Sequence, residues 1–224
     1  MKIVIAGGHG QIALFLGEQL AAAGHQPQGL IRKAEQGSEL NERGIEPVLL
    51  DLERIDSAEL ATALSGADAV VFAAGAGPNS GIARKDAVDR AGSVLLADAA
   101  VAAGVPRFVQ ISSMGAESVR GGAHPEGMDT EFHAYLIAKL AAEDDLRSRD
   151  ALDWTIVRPG RLTDEAPSGR VLLADTTGRG SVPRADVAAV VAELLQTGAA
   201  SGRVLELIAG DTPVSEAVAA FDGQ

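Results

Sequence analysis

The hydrophobic positions of the chain alternate between two periods. Short continuous runs rich in Val and Ile recur between longer, Ala-rich stretches in which apolar residues return every three or four positions. The first run, residues 3–6, ends in Gly-Gly, and residues 11–23 then carry Ile12, Leu16 and Leu20 at helical spacing. This opening predicts a buried strand followed by a helix, the unit from which parallel sheets are built.

The same alternation continues to about residue 157. The expected strands are 29–31, 48–50, 68–74, 107–111 and 154–157, and the expected helices are 34–43, 57–64, 85–103 and 132–147. Strands that alternate with helices imply right-handed crossovers and a parallel sheet that is covered on both faces. The predicted fold class is therefore α/β, with a Rossmann-type doubly wound parallel sheet.

The pattern is less regular from about residue 159 to residue 224. Short strands are expected at 171–173 and 204–208, and a helix at 184–196. Asp186 would lie in the first turn of that helix, where the helix dipole favours a negative charge. Because this part is too short for an independent domain, we expect it to complete the sheet and to form a small lid over its carboxyl edge. Residues 1–224 are thus predicted to form a single Rossmann-type domain.

The most informative motif is the glycine turn after the first strand. Its residues are Ala6-Gly7-Gly8-His9-Gly10-Gln11-Ile12-Ala13, a G-x-x-G-x-x-A pattern. Glycines let the backbone turn tightly and approach a diphosphate, while free N–H groups at the helix start face its charge. An ordinary strand-to-helix turn is the alternative. The position of the motif at the first strand–helix turn favours a dinucleotide site that includes Gly7, His9, Gly10, Gln11 and Ile12.

The end of the second strand predicts which dinucleotide binds. An NAD site usually has an acidic residue here for the ribose 2′-hydroxyl. This chain has Arg32-Lys33 instead, and two cations suit the 2′-phosphate of NADP. Glu35 lies close by, and the pair could also be a solvated strand end. NADP is therefore the expected cofactor, with NAD possible.

Two further strand ends are candidate contacts for the same cofactor. Asp51 and Leu52 close the third strand, where one can bond the adenine and the other can pack on it. Ala73, Ala74 and Gly75 close the fourth strand, where small residues would admit the adenosine ribose. Either set could also simply end its strand.

Tyr135 and Lys139 form a candidate catalytic pair. They are four residues apart on a predicted helix and therefore share a face, and Tyr135 is the only tyrosine. An ammonium beside a phenol favours the phenolate, which suits proton exchange with a carbonyl or alcohol. Lys139 could also bind the nicotinamide ribose. The alternative is a half-buried surface pair.

A serine pair supports the catalytic interpretation. Ser112 and Ser113 follow the fifth strand, at the carboxyl edge where ligands bind in such sheets. A serine hydroxyl there can stabilise the substrate oxygen, although serines also cap loops.

Composition and charge exclude several classes of partner. The net charge is −12, which disfavours nucleic acid and anionic membranes. There are no cysteines and the four histidines show no metal-ligand spacing, so no metal site is expected. No apolar run is long enough for a membrane span, and the N-terminus lacks the order of a signal peptide, so the expected location is cytoplasmic. Neither a G-x-S-x-G elbow nor a G-K-[ST] phosphate loop is present.

Together these residues resemble the atypical branch of the short-chain dehydrogenase/reductase superfamily, among NAD(P)-binding, epimerase-like and NmrA-like proteins. The resemblance spans roughly residues 1–210 and is carried by the glycine turn, by Arg107-Phe108-Val109-Gln110-Ile111-Ser112-Ser113, by Tyr135 with Lys139, and by Thr155-Ile156-Val157-Arg158-Pro159-Gly160. It implies that Ser113, Tyr135 and Lys139 occupy the family's Ser, Tyr and Lys positions, and that Pro159 borders the nicotinamide.

This chain departs from the family pattern at two positions, which affects how the family's residue roles apply to it. Ala13 replaces the third glycine of the turn, and Asp89 stands where many relatives have a catalytic Asn. A carboxylate cannot donate the hydrogen bonds of an amide, which puts the usual water-linked proton relay in doubt.

Two functions of different classes remain open. The first is an NADP(H)-dependent oxidoreductase acting on a small carbonyl, quinone or flavin-like substrate, since the stretch after Pro159 is too short for a nucleotide-sugar domain. The second is a non-catalytic NAD(P)-binding regulator that senses redox state. The sequence leaves the oligomeric state open, and a Rossmann scaffold without ligand is a third possibility.

Overall fold

A nine-stranded sheet forms the centre of the protein, whose computed structural model describes residues 1–77 and 80–223. Its strands are β1 (Lys2–Ala6), β2 (Gln26–Ile31), β3 (Glu46–Leu49), β4 (Ala69–Phe72), β5 (Arg107–Ile111), β6 (Asp153–Pro159), β8 (Arg170–Ala174), β10 (Arg203–Ala209) and β11 (Thr212–Pro213), while β7 (Arg161–Thr163) and β9 (Ser181–Pro183) pair separately in parallel. The spatial order of the sheet is β11-β8-β10-β6-β5-β4-β1-β2-β3. Neighbours from β3 to β10 are parallel, and β8 is antiparallel to β10 and β11.

Helices cover both faces of this sheet. They are α1 (Gln11–Ala22), α2 (Gly37–Glu42), α3 (Ser57–Ala63), α4 (Ile82–Lys85), α5 (Gly92–Ala103), α6 (Thr130–Arg147), α7 (Arg184–Thr197) and α8 (Val214–Ala219). Successive side chains of a strand point to opposite faces. Ile3 and Ile5 of β1 accordingly belong to the core cluster that includes residues of α1 and α7, whereas Val4 lies in the cluster that includes residues of α3 and α5. The predicted doubly wound α/β sheet is confirmed.

The order of the strands creates a crevice beside β1. The chain runs from β1 outward through β2 and β3, and then returns to place β4 on the other side of β1. In open α/β sheets ligands bind at such a switch point, outside the carboxyl ends of the strands. Here those ends are Ala6 of β1 and Phe72 of β4, which are register partners.

The structure differs most from the predicted elements in the segment just before α5. The expected helix 85–103 begins at Ile82 and contains a π-helical turn, Asp86–Ala91, between α4 and α5. Such turns widen a helix by one residue and are frequent at functional sites. The expected helix 34–43 is also divided, into a 3₁₀ turn at Ala34–Gln36 and α2.

The C-terminal part adds more structure than its pattern predicted. The strands around 171–173 and 204–208 and the helix at 184–196 are present as β8, β10 and α7, whereas β7, β9, β11 and α8 were not foreseen. Asp186 lies in the first turn of α7, fully buried, and accepts the backbone N–H groups of Ser168 and Gly169 at 2.9 Å. This carboxylate anchors the loop before β8 to α7.

Candidate functional site: two adjoining cavities at the carboxyl edge

The glycine turn connects β1 to α1 in a geometry that requires glycine. Gly7 has φ +80°, and a Cβ there would lie 2.6 Å from the Cα of Ala74. The N–H of Gly10 donates to the carbonyl of Gly7 at 2.8 Å, and Gly10 caps α1 without a side-chain hydrogen bond. The N–H groups of the first helical turn are thus available to an anion, which fits a diphosphate.

A cavity of about 240 Å³, here called the turn cavity, opens in front of this turn. Most of the residues predicted to contact the cofactor line it: Gly7, His9, Gly10, Arg32, Asp51, Leu52, Ala73, Ala74 and Gly75. The His9 ring contacts Glu39 at 2.9 Å. Lys33 is not among the lining residues; its ammonium lies 3.8 Å from Glu35, and more than half of the side chain is exposed.

Three charged or polar residues of the turn cavity were missed by sequence reasoning. Gln36 follows β2, Glu53 follows β3, and Arg84 belongs to α4. Arg84 Nη2 donates to Glu53 Oε1 at 2.6 Å, and Arg32 Nη1 lies 3.7 Å from the same oxygen. We call Arg32, Glu53 and Arg84 the rim cluster. Its members are far apart in the chain, so no local motif could have identified it.

A second cavity, of about 510 Å³, adjoins the first and contains Tyr135; we call it the tyrosine cavity. Ala73, Ala74 and Gly75 line both cavities, so the two spaces meet across the carboxyl end of β4. Ile12 and Leu162 also line the tyrosine cavity. Gln11 and Pro159, both predicted cofactor contacts, are not among the described residues that line either cavity.

Lys139 is fixed in the floor of the tyrosine cavity by oxygen atoms. Its Nζ lies 3.2 Å from the carbonyl of Ile111, 3.4 Å from that of Ala74 and 3.2 Å from Asp89 Oδ1, the last as an ion pair without hydrogen-bond alignment. Asp89 is fully buried and accepts the N–H of Ala76 at 3.0 Å. The carboxylate at this position therefore balances the lysine charge.

Two ammonium groups lie near the ring of Tyr135. The centre of its half-buried ring is 5.7 Å from Nζ of Lys139 and also 5.7 Å from Nζ of Lys85. Lys85 is a buried residue of α4 that donates to the carbonyl of Gly77 and lies 3.5 Å from Glu131. Sequence reasoning missed Lys85, because its partners Gly77 and Glu131 are not its neighbours on a regular helix and no local spacing marks it.

The two serines after β5 have different surroundings. Ser112 lines the tyrosine cavity, but its hydroxyl donates to the carboxylate of Glu143. The hydroxyl of Ser113 donates to the carbonyl of Met114 at 3.2 Å, and Ser113 is not among the described residues that line the cavity. Contact between Ser113 and a substrate would therefore require its side chain to change rotamer and to give up this hydrogen bond.

Behind the tyrosine cavity, Ser112, Glu143 and Arg158 form what we call the buried cluster. Glu143 is fully buried, and Arg158 donates to it from Nε at 3.0 Å and from Nη2 at 2.5 Å. Burial opposes the charge of Arg158, but the hydrogen bonds and charge attraction of Glu143 and Glu117 together outweigh it and raise the arginine pKa. Because Arg158 precedes Pro159, this cluster fixes the end of β6 beside the cavity.

Glu117 extends the buried cluster to the surface. Hydrogen bonds from Arg120 are the largest influence on its pKa and lower it. Burial acts in the opposite direction, and the hydrogen bond from Arg158 lowers the pKa further, from the ordinary value of 4.5 to about 2 in all. Glu117 therefore stays ionised well into acid.

The described residues contain no group of three or more His, Asp or Glu that could hold a metal ion. Within residues 1–77 and 80–223, no helix has the length and apolar character that a membrane crossing needs.

Comparison with known proteins agrees with this geometry. A family model described as NAD(P)H-binding matches residues 7–198, which include the glycine turn, Tyr135 and Lys139. The chain belongs to this NAD(P)H-binding family. The match confirms the resemblance to epimerase-like, atypical short-chain dehydrogenase/reductases.

Three relatives show how this family assignment extends along the chain. The "Uncharacterized sugar epimerase YhfK" of Bacillus subtilis (strain 168) is 34% identical over 223 residues, which cover 97% of this chain and 99% of that protein. A candidate NAD-dependent epimerase/dehydratase from Bacillus halodurans has a solved structure with a TM-score of 0.88 and 35% identity, covering 98% of this chain and 99% of its own. The oxidoreductase ylbE from Lactococcus lactis has a TM-score of 0.84 and 30% identity, with 98% and 96% coverage.

Proposed function

We propose that the protein is an NADP(H)-dependent oxidoreductase that acts on a small carbonyl, quinone or flavin-like substrate. The observation that carries this proposal is the junction of the two cavities across Ala73, Ala74 and Gly75. A dinucleotide bound at the glycine turn can extend over this junction into the space that Tyr135 and Lys139 line. The family's ability to bind NAD(P)H supports the same arrangement.

The chain's own groups match the parts of the cofactor. The first-turn amides of α1 suit the diphosphate, Asp51 and Leu52 suit the adenine, and the arginines of the rim cluster suit a 2′-phosphate. When bound, NADP(H) supplies or accepts a hydride. Ile12, Ile111 and Leu162 give the tyrosine cavity apolar lining, and the rings of Phe132 and Tyr135 lie beside it, which suits a planar substrate.

Tyr135 is the proton-transfer residue in this proposal. Reduction of a carbonyl requires a proton at its oxygen, and the Tyr135 hydroxyl donates it and recovers it from solvent. The ammonium groups of Lys139 and Lys85 stabilise the phenolate that remains. Asp89 holds Lys139 in place, and Ser113 binds the substrate oxygen after its side chain changes rotamer.

The substitution Tyr135→Phe tests this role because it removes one oxygen and keeps the ring. We expect loss of NADPH-dependent turnover, by about 100-fold or more, on any carbonyl or quinone that the parent reduces. NADPH affinity, measured by thermal shift or calorimetry, should stay within about twofold of the parent. The expectation is checked by steady-state kinetics on both proteins with the same substrate.

Phe132→Leu is the matched control for this experiment. Phe132 lines the same cavity, and its ring stacks on Tyr135 with centroids 5.8 Å apart, but it carries no exchangeable proton. Its replacement should change KM more than kcat. Equal turnover by Tyr135→Phe and the parent would remove Tyr135 from the mechanism.

A second candidate function is a non-catalytic regulator that senses the redox state of NAD(P). Two observations favour it: Asp89 neutralises Lys139, and the hydroxyl of Ser113 is bonded to its own loop. Tight NADPH binding without oxidation across a carbonyl, quinone and flavin panel would support this function over the enzyme.

A further inference from the structure

The rim cluster has more hydrogen-bond donors than its single acceptor group uses. Arg84 Nη2 is bonded to Glu53 Oε1, and Arg32 Nη1 lies beyond hydrogen-bond distance from that oxygen, at 3.7 Å. Arg84 Nε is buried and has no hydrogen-bond partner among the described residues. Two positive charges therefore face one carboxylate, on a protein whose net charge is −12.

The three side chains approach the turn cavity from different elements. Arg32 follows β2, Glu53 follows β3, and Arg84 comes from α4, and all three line the cavity. Roughly half of the Arg32 side chain and a third of each of the other two are exposed. Ion pairs with this exposure contribute little net stability, so their partners can be exchanged at low cost.

We propose that Glu53 occupies the place of the 2′-phosphate of NADP(H) in the free protein, and that Arg84, together with Arg32, binds this phosphate when the cofactor enters. The inference rests on the proposed NADP(H) dependence and names the residues that would decide it. A phosphomonoester has three acceptor oxygens and nearly two negative charges, which match the unused guanidinium donors better than one carboxylate does.

The same arrangement makes Glu53 favour NAD(H) over NADP(H). The phosphate of NADP(H) must displace this carboxylate, because two anions cannot share the arginines without repulsion. The ribose 2′-hydroxyl of NAD(H) can instead donate to it, as acidic residues do in NAD sites. Arg84 therefore favours the phosphorylated cofactor, and Glu53 favours the unphosphorylated one.

The experiment measures dissociation constants by calorimetry for NADPH and NADH, and for 2′,5′-ADP and ADP, which lack the nicotinamide. Arg84→Met should weaken binding of NADPH and 2′,5′-ADP about 10-fold or more, because it removes a charged hydrogen-bond donor, and should change NADH and ADP less than about threefold. Glu53→Gln should tighten NADPH binding several-fold and weaken NADH binding.

Arg90→Met is the matched control. Arg90 follows Arg84 in the same helical segment and carries the same charge, but it pairs with Asp86 at 2.5 Å and does not line the turn cavity. It should change all four constants by the same small factor. Thermal unfolding of each free variant identifies loss of fold, and Glu53→Gln supplies a second test if Arg84→Met is unstable.

The outcomes separate this inference from the proposed function. If the parent prefers NADPH and Arg84→Met keeps the same NADPH-to-NADH ratio, the role of Arg84 is overturned while NADP(H) dependence stands. If Glu53→Gln moves both affinities in the same direction, the exchange between carboxylate and phosphate is overturned. If the parent binds both cofactors equally, this inference and the proposed preference for NADP(H) are both overturned. The proposed role of Tyr135 does not depend on this result.

Discussion

The rim cluster and the buried cluster both pair arginine with glutamate, yet they differ in exposure. In the rim cluster about a third or more of each side chain reaches solvent, and one arginine lies 3.7 Å from its partner. In the buried cluster Glu143 is fully buried, Arg158 is 9% exposed, and the contacts are short and numerous. The first borders the turn cavity, and the second lies behind the tyrosine cavity.

This difference in exposure predicts a difference in use. A buried charge without its partner is costly, so Glu143 and Arg158 must remain paired whether or not a ligand is present. Exposed charges keep access to water, and the members of the rim cluster can change partners at little cost. The fixed pair of Glu143 and Arg158 therefore suits a role in holding the backbone beside the tyrosine cavity. The exchangeable pairs of the rim cluster suit recognition of a charged ligand.

The largest expected effect comes from breaking the buried pair. Glu143→Gln removes the buried counter-charge of Arg158 and leaves only the half-exposed carboxylate of Glu117 beside it, and we expect it to lower the free energy of unfolding by about 3 to 5 kcal/mol. Asp144→Asn, at the next position of α6, breaks an exposed pair with Arg120 and should cost less than about 1 kcal/mol. Urea unfolding of both variants compares them directly, and equal losses would contradict the distinction between the clusters.

A smaller effect is expected from pH at the outer end of the buried cluster. The pKa of Glu117 is about 2 in the folded protein against an ordinary value of 4.5. A folded pKa below the unfolded value gives a stabilisation that is complete above about pH 5 and is lost as the pH falls toward 2. The stability difference between the parent and Glu117→Gln should therefore be constant near neutrality and shrink in this acidic window.

The salt dependence of stability is a second test of the contribution of the Glu117 charge. About half of the Glu117 side chain is exposed, so added NaCl should reduce its contribution by screening. A stability difference between the parent and Glu117→Gln that persists unchanged from pH 6 to pH 2 would show that the carboxylate charge is not its source.

The sequence predicted the parts of the fold that depend on local pattern. The glycine turn, the strand–helix alternation and the sharing of one helix face by Tyr135 and Lys139 all follow from spacing within a few residues. The partners of Lys139 and the donor to Glu53 depend on tertiary packing between distant segments, which periodicity cannot reveal. The π-helical turn that brings Lys85 and Asp89 to the cavity also has no signature in hydrophobic period.

Sequence reasoning was least informative about individual contacts. Lys33 was paired with Arg32 because they are neighbours, but adjacent residues leave a strand end in different directions, and only Arg32 lines the turn cavity. Gln11 follows the helix cap directly, yet it lines neither cavity. The direction of each side chain had to come from the structure.

Binding of the cofactor diphosphate at the first turn of α1 underlies both the proposed function and the rim-cluster inference, and Gly10→Asp tests this binding. Aspartate is a favoured helix cap and Gly10 already has an ordinary φ of −70°, but a Cβ there would lie 3.2 Å from the carbonyl oxygen of Gly7. The two effects oppose each other, so the free variant should melt close to the parent temperature. Its carboxylate would, however, repel a diphosphate at the same amides. We predict that NADPH at 100 times Kd raises the melting temperature of the parent by about 5 to 10 °C and that of Gly10→Asp far less. An equal rise in both proteins, or none in the parent with NAD⁺, NADH, NADP⁺ or NADPH, would contradict the account.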